Sequence, residues 1–247
     1  MKIYVLQFKP ALGDVEKNFS TAKNLVERAK NSDVIILPEL WTTGYYPTPV
    51  ENFADQNCER TKDFVCSLAK NFSVNIVAGS VIAEENQKIF NRCIAVNRRG
   101  EILNFYDKAH LFSFAGEEKI FTAGNKIKIV ELDGVKCGLA ICYDLRFPGF
   151  IRKIALNGAE ILICPAAWSL KRNFARKILS AARAIENQIF VIFANSAGNS
   201  EIINPLGEKI IEAGIGEEIL TAEIDLKIRA EIISKMNLLA DRNIFVD

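Results

Sequence analysis

The stretch Glu160-Ile161-Leu162-Ile163-Cys164-Pro165-Ala166-Ala167-Trp168 repeats the pattern of an earlier stretch, Asp33-Val34-Ile35-Ile36-Leu37-Pro38-Glu39-Leu40-Trp41. In both, an acidic residue precedes four apolar residues, and a proline and a tryptophan follow in the same register. Short, continuous apolar runs are typical of strands that are buried on both faces. The repeat therefore indicates two similar halves, each built around a buried strand.

Strand and helix patterns alternate on both sides of these stretches, and no linker or low-complexity segment divides them. Two sheets packed face to face, with helices outside, would bury all of these strands. A chain of 247 residues suits one α/β domain, so residues 1–247 are expected to form a single domain. The predicted strands cover 3–8, 34–37, 74–82, 89–97, 101–106, 127–132, 135–141, 160–164 and 189–194, and the predicted helices cover 14–30, 57–71, 150–157, 174–187 and 226–235.

The composition argues against several classes of function. Lysine and arginine total 31 against 30 acidic residues, a net charge of +1 without a basic block, so nucleic acid is not expected as a partner. The longest apolar runs are the size of strands, and the amino terminus lacks the pattern of a signal peptide. We therefore expect no membrane association and a cytoplasmic protein.

Six cysteines occur without a Cys-x-x-Cys pair, and there is a single histidine. A chain of this size without an export signal is expected to keep its thiols reduced, and no zinc-ligand cluster is predicted. Cys58 and Cys66 fall in a helical pattern and are expected to be partly exposed. Cys93, Cys137 and Cys164 fall in strand patterns and are expected to pack inertly.

Reactive residue types stand where apolar strands end. In Gly138-Leu139-Ala140-Ile141-Cys142-Tyr143-Asp144-Leu145-Arg146-Phe147-Pro148, a strand pattern leads directly into Cys142. A cysteine in this position is typical of a nucleophile, since the backbone N–H groups of the turn and the next helix can stabilise its thiolate. The alternative is a small buried hydrophobic residue, which is the commonest role of cysteine.

Two further charged residues follow apolar strands. The run 34–37 ends in Pro38 and Glu39, and Lys108 closes the strand 101–106 and opens an aromatic loop. Taken singly, each reads as a solvated charge beyond a strand end. Together with Cys142 they supply a nucleophile, a base and a fixed cation, which are the components of acyl transfer.

These motifs resemble those of the nitrilase superfamily of carbon–nitrogen hydrolases, in the same order and over nearly the whole chain. The resemblance implies a four-layer α-β-β-α sandwich, no metal or organic cofactor, and a homodimer or larger homo-oligomer. It rests on Leu37-Pro38-Glu39, Asp107-Lys108-Ala109-His110-Leu111-Phe112 and Leu139-Ala140-Ile141-Cys142-Tyr143-Asp144-Leu145-Arg146-Phe147-Pro148, with shorter similarities at Phe90-Asn91-Arg92, Phe121-Thr122-Ala123-Gly124, Ala182-Arg183-Ala184-Ile185-Glu186-Asn187-Gln188 and Asn204-Pro205-Leu206-Gly207-Glu208.

The resemblance also implies a role for each residue of the site. Cys142 attacks the carbonyl carbon and forms a thioester, while Glu39 serves in turn as general base and general acid. Lys108 stays charged and stabilises the oxyanion, together with the N–H group of Tyr143.

Family enzymes often use a second glutamate near the lysine, and Glu117 is the candidate here, with Glu118 as the alternative. The lysine and cysteine motifs are most similar to those of the amidase and ω-amidase branches. We therefore expect the substrates to be water and a small linear amide, such as the ω-amide of a dicarboxylic acid. An N-carbamoyl compound or a nitrile is the alternative.

The residues expected to line the substrate pocket are Tyr45, Tyr46, Tyr143, Arg146, Trp168, Lys171 and Arg172. Arg146 lies close enough to Cys142 in sequence to bind a substrate carboxylate, and the alternative is an ion pair with Asp144 or Glu186. The loop 166–174 departs from the His-Trp pattern of many relatives, so the substrate is less determined than the chemistry.

Two other interpretations stay open from the residues alone. His110, the only histidine, would have to be the base of a Cys–His hydrolase, whereas the resemblance makes it a structural neighbour of Lys108. The other is a non-enzymatic α/β binding domain in which Cys142 is inert.

Overall fold

The computed structural model describes residues 1–242, so residues 243–247 of the predicted domain lie outside the described part. The strands are β1 (Lys2–Gln7), β2 (Val34–Ile36), β3 (Asp55–Gln56), β4 (Asn75–Val77), β5 (Val81–Glu85), β6 (Lys88–Val96), β7 (Ile102–Asp107), β8 (Ile129–Leu132), β9 (Val135–Leu139), β10 (Ile161–Ala166), β11 (Phe190–Asn195), β12 (Glu201–Ile203), β13 (Lys209–Glu212) and β14 (Glu218–Glu223). The α-helices are α1 (Val15–Arg28), α2 (Glu59–Phe72), α3 (Pro148–Leu156), α4 (Asn173–Asn187) and α5 (Leu226–Lys235).

The strands form two sheets with the same central arrangement. The first sheet has the order β14-β1-β2-β4-β6-β5-β3, with β7 also paired to β6, and the second has the order β13-β12-β11-β10-β9-β8. β2 lies between the parallel strands β1 and β4, and β10 lies between β9 and β11 in the same way. The matching stretches at 33–41 and 160–168 thus hold equivalent positions, which confirms the interpretation of two similar halves.

Side chains along a central strand point alternately to the two faces of its sheet, and this explains how the layers of the fold are arranged. Val34 and Ile36 of β2 share one buried cluster with Ile163 of β10, so the two sheets pack face to face. Ile35 points the other way and packs with Phe19 of α1 on the outer side of the first sheet. Helices α3 and α4 contact β9 and β11 of the second sheet. The predicted four-layer α-β-β-α sandwich is confirmed.

The first helix shows how local sequence sets an element's limits. The carboxylate of Asp14 accepts a hydrogen bond of 3.2 Å from the N–H group of Lys17, which caps the start of α1. Buried apolar residues recur every three or four positions from Phe19 to Val26. The predicted helix 14–30 is confirmed, although the helix ends at Arg28.

The predicted single strand 74–82 is wrong, because the residues around Gly79 interrupt it and separate β4 from β5. This glycine has a φ of 53°, and a Cβ atom there would lie 1.9 Å from the carbonyl oxygen of Pro38. Only glycine allows the chain to pass so close to the residue before Glu39. After this interruption, β5 continues along the same edge of β6 that β4 pairs with, and β7 pairs with the other edge.

All six cysteines are free. Cys66 is half-buried, as expected, but the expected exposure of Cys58 is wrong. Cys58 lies just before α2 with a φ of 56° and is fully buried in the core that also contains Val65. The turn at the helix start therefore directs its side chain inward.

The helices of residues 1–242 are short. The longest, α4, has 15 residues, and no helix in this part of the chain is long and apolar enough to cross a membrane.

Candidate active site

Cys142 lies at a sharp bend between β9 and a single 3₁₀ turn, Cys142–Arg146. Its φ of 45° falls in the left-handed region that non-glycine residues rarely adopt. The bend directs the side chain out of the line of the strand, and the residue is only 9% exposed. Burial raises the pKa of the Cys142 thiol well above its usual value, and the nearby Glu39 carboxylate raises it further, although Lys108 acts in the opposite direction.

Glu39 follows β2 and is held by three hydrogen bonds. Its Oε1 atom accepts from Lys108 Nζ at 2.8 Å and from Asn91 Nδ2 at 2.9 Å. Its Oε2 atom accepts from the backbone N–H group of Ala167 at 2.7 Å. Since each carboxylate oxygen has two acceptor sites, Oε2 keeps one site free.

Lys108 connects two buried carboxylates. Its Nζ atom lies 2.8 Å from Glu39 Oε1 and 2.9 Å from Glu117 Oε1, and all three side chains are at most 1% exposed. The Glu39 carboxylate and the other negative groups of the site raise the pKa of Lys108 despite its burial, which acts to lower it. The lysine is therefore an ammonium ion at neutral pH.

Glu117, not Glu118, lies beside Lys108. Its Oε1 atom also accepts a hydrogen bond of 2.9 Å from the hydroxyl group of Tyr45, and its Oε2 atom accepts one of 2.7 Å from the N–H group of Phe112. Glu118 is exposed to solvent. Burial, and then the Glu39 and Glu117 carboxylates, raise the pKa of Tyr45, so its hydroxyl group stays protonated and can donate.

Asp144 joins the turn of Cys142 to the loop of Lys108. Its Oδ1 atom lies 2.7 Å from His110 Nδ1 and 2.9 Å from the backbone nitrogen of the same residue. The imidazole ring of His110 also stacks on Phe147, with ring centroids 3.7 Å apart. His110 thus contacts Asp144 and Phe147, which belong to the segment that follows Cys142. It is not among the residues that line the cavity beside Cys142.

A cavity of about 330 Å³ opens above Cys142. Five of the seven residues predicted to line the substrate pocket line this cavity, whereas Tyr46 and Lys171 do not. Aromatic side chains of the 112–115 loop complete its wall. The lining residues are Tyr45, Phe112, Phe114, Ala115, Cys142, Tyr143, Arg146, Ala167, Trp168, Ser169 and Arg172.

Two guanidinium groups face this cavity. Arg146 lies over the ring of Trp168, with 4.7 Å between Cζ and the ring centroid, and Arg172 lies 4.9 Å from the ring centroid of Phe114. The alternative prediction of an ion pair between Arg146 and Asp144 or Glu186 is wrong. The carboxylate of Asp144 contacts His110 instead, and Glu186 pairs with a different arginine, Arg183.

Several contacts were not anticipated from the sequence. The N–H group of Ala167 reaches Glu39 from the other sheet, and Tyr106 and Asp144 link the sheets behind the site. The one sequence feature that could have indicated these contacts was Asp144, a charged residue two positions after a buried cysteine. Among residues 1–242, no cluster of three or more His, Cys, Asp or Glu side chains is arranged to hold a metal ion.

Comparison with known proteins places this chain in a family. A family model described as carbon-nitrogen hydrolase matches residues 2–233. The chain is 40% identical over 240 residues to the 2-oxoglutaramate amidase of Bacillus subtilis (strain 168), with 93% of each chain covered. It is 29% identical over 253 residues to Omega-amidase NIT2-A of Xenopus laevis, with 94% of this chain and 91% of that protein covered.

Comparison of the fold with solved structures indicates the same family. The crystal structure of Nit3 from Saccharomyces cerevisiae, a member of branch 10 of the nitrilase superfamily, matches with a TM-score of 0.89 at 26% sequence identity. The match covers 96% of this chain and 94% of that chain. The chain therefore belongs to the carbon–nitrogen hydrolase family, within the nitrilase superfamily.

Proposed function

We propose that this enzyme hydrolyses the terminal amide of a small linear ω-amide that carries a free carboxylate, and that the reaction passes through a thioester of Cys142 and releases ammonia. The observation that carries the proposal is the buried Glu39–Lys108–Glu117 network close to Cys142, which lines the same cavity as Arg146. The similarity to an enzyme named 2-oxoglutaramate amidase supports a keto acid with a distal amide as the substrate.

The first half-reaction begins with a protonated thiol. Because the pKa of Cys142 is raised, the sulfur needs a base, and Glu39 is the base. The free acceptor site on its Oε2 atom takes the thiol proton as the sulfur bonds to the amide carbon. The C–N bond then breaks, the same proton passes to the nitrogen, and ammonia leaves a thioester on Cys142.

The second half-reaction returns the enzyme to its starting state. Glu39 takes a proton from water as the water oxygen attacks the thioester carbon. The C–S bond breaks, the proton passes to the sulfur, and the carboxylic acid product leaves. The balance is one amide and one water in, one acid and one ammonia out.

Lys108 serves as a fixed cation in both halves. Its raised pKa excludes it as the base at neutral pH, and its position between Glu39 and Glu117 prevents its ammonium group from moving away. The ammonium group and the backbone N–H group of Tyr143 stabilise the oxyanion of each tetrahedral intermediate. Glu117 keeps Lys108 in place, and Tyr45 in turn orients Glu117.

Arg146 binds the substrate carboxylate. Its guanidinium group is held over Trp168 at the cavity wall, and it has no carboxylate partner among the described side chains. A guanidinium group pairs with a carboxylate through two parallel hydrogen bonds, so it also sets the direction of the substrate chain. A cavity of about 330 Å³ lies at the lower end of the size range of small-molecule sites, which favours a short linear substrate.

The proposal is tested by measuring ammonia release from a panel of amides. The panel contains 2-oxo acids with a distal amide, glutamine, a neutral aliphatic amide, an N-carbamoyl amino acid and a nitrile. We expect the first class to be hydrolysed fastest, and we expect Cys142→Ala to abolish turnover while the matched control Cys66→Ala retains it. Mass spectrometry of acid-quenched enzyme should detect the acyl group only when Cys142 is present.

The panel also separates the alternatives. Preferred hydrolysis of the N-carbamoyl compound or the nitrile would replace the proposed substrate but keep the thioester chemistry. Ammonia release that survives Cys142→Ala would overturn the mechanism itself.

Two properties of the working enzyme are part of the proposal. We propose a reducing, cytoplasmic location, because all six cysteines are free and five of them are buried.

We also propose a homodimer or larger oligomer, because α4 exposes Phe174, Ile178 and Ile185, which recur on one helical face. Light scattering of the purified protein tests the second point, and a monomeric mass at micromolar concentration would contradict it.

A further inference from the structure

A second cavity lies apart from the active site. It is a groove of about 760 Å³ and shares no lining residue with the cavity above Cys142. Its volume is within the range of sites that bind small molecules. The residues that line it are Asn57, Lys62, Glu85, Lys88, Phe90, Arg92, Asn104, Phe105, Asp107, Thr122, Ala123, Gly124, Asn125, Lys126 and Lys128.

The charge of this groove is unbalanced. Five lining residues are basic and two are acidic, in a chain whose net charge is only +1. Both acidic residues pair with Arg92, which lies 2.6 Å from Asp107 Oδ1 and 2.8 Å from Glu85 Oε2, so these three groups together carry a net charge of −1. The positive charge that remains is that of the lysines.

Four lysines of the groove form no salt bridge within residues 1–242, namely Lys62, Lys88, Lys126 and Lys128. Like charges around one concavity repel each other, and low-dielectric walls concentrate their field inside it. An anion in the groove would relieve this repulsion. Because a single negative charge would leave most of it in place, the groove favours a ligand with several negative charges.

The groove also lies directly behind the catalytic network. Arg92 of β6 and Asp107 of β7 are opposite each other in the antiparallel pair, and their side chains face the groove. The next residues along the two strands, Asn91 and Lys108, direct their side chains to Glu39 on the other side. One strand pair therefore separates the groove from the active site.

We propose that this groove is a binding site for a small polyanion, a molecule that carries two or more phosphate or carboxylate groups. The lysine ammonium groups bind the ligand as point charges, in the way that lysine commonly binds phosphate. Arg92 pairs with both acidic residues of the groove, which reduces their repulsion of the ligand. The site is distinct from that of the amide substrate, since the two cavities share no lining residue.

The test is isothermal titration calorimetry on the full-length protein at constant ionic strength. Pyrophosphate and citrate are the probes, and acetate is the monovalent control. We expect saturable binding of one molecule of pyrophosphate or citrate per chain and none of acetate. Whichever probe binds more tightly identifies phosphate or carboxylate as the preferred group.

Charge-matched variants show where the probe binds. Lys88→Gln/Lys126→Gln removes two exposed charges of the groove, and Lys23→Gln/Lys30→Gln removes two exposed charges elsewhere. We expect the groove variant to lose affinity by about tenfold or more, and the control to bind like the wild type. Both variants should keep the basal amidase activity, which shows that they fold. No saturable binding, or equal binding by the two variants, would overturn the proposal.

Discussion

The hydroxyl group of Tyr106 donates a hydrogen bond of 2.6 Å to Asp144 Oδ2, and neither side chain is reached by solvent. Tyr106 belongs to β7, which leads into Lys108, and Asp144 belongs to the turn that begins at Cys142. β7 and β9 lie in different sheets. One buried carboxylate therefore holds the cation and the cysteine in a fixed relation across the sandwich.

Tyr106→Phe should reduce both stability and activity. The variant leaves the buried Asp144 carboxylate without one donor, which costs about 1–3 kcal/mol of unfolding free energy. The loosened turn should lower kcat more than it raises KM. Urea unfolding and steady-state kinetics measure the two effects. Tyr4→Phe, on the half-buried β1, is the control, and an equally large loss in the control would contradict the assigned role of Tyr106.

Lys108→Met should abolish turnover and destabilise the fold. It leaves two buried carboxylates, Glu39 and Glu117, without their shared cation, and breaking a buried ion pair in this way costs about 3–5 kcal/mol. The triple variant Glu39→Gln/Lys108→Met/Glu117→Gln should recover much of the stability but none of the activity. Denaturant unfolding provides the comparison, and a triple variant no more stable than the single one would show that the charges are not the cause.

Glu39→Gln should lower the pKa of Cys142. The Glu39 carboxylate raises this pKa because it disfavours a neighbouring thiolate, so removing its charge favours ionisation of the thiol. The pH dependence of alkylation by iodoacetamide, followed by intact-protein mass, should therefore shift to lower pH. Turnover should still fall by about 10²–10⁴, since the base is gone. A shift to higher pH would contradict this account of the site.

The protein should lose stability as the pH rises above 9. Burial raises the pKa of Cys58 from 9.0 to about 12, so between these values the unfolded chain ionises this thiol while the folded protein keeps it protonated. The unfolded state then binds fewer protons, and stability falls by roughly 1.4 kcal/mol per pH unit for one such group. Unfolding free energies at several alkaline pH values should show a shallower slope in Cys58→Ala, and identical slopes would rule out the effect.

Arg146→Gln should affect charged substrates selectively. If the guanidinium group binds the substrate carboxylate, its loss removes a charged hydrogen bond and should raise KM about 10- to 100-fold for a carboxylate-bearing amide. KM for a neutral aliphatic amide should change little. Lys171→Gln is the control, because Lys171 is exposed and does not line the cavity. An equal change in KM for both substrates would rule out Arg146 as the carboxylate site.

Local sequence patterns were sufficient to predict much of the architecture. The repeated stretches at 33–41 and 160–168 predicted two equivalent central strands, because a strand buried on both faces requires a continuous apolar run. The last helix, Leu226–Lys235, has the predicted limits. The predicted strand 74–82 was wrong because an apolar run does not reveal an interruption, and the cause lies in the close approach of Gly79 to Pro38.

The sequence by itself determined which residue types stand at strand ends, and hence that Glu39, Lys108 and Cys142 were candidates for one site. The tertiary structure decided what each of them contacts. Glu39 and Lys108 are 69 positions apart, and their 2.8 Å contact depends on the order of strands in the first sheet. The choice of Glu117 over Glu118, and the absence of an acidic partner for Arg146 among residues 1–242, also depend on neighbours that are distant in sequence. Periodicity encodes which face of an element is buried, whereas partners are set by how the elements pack.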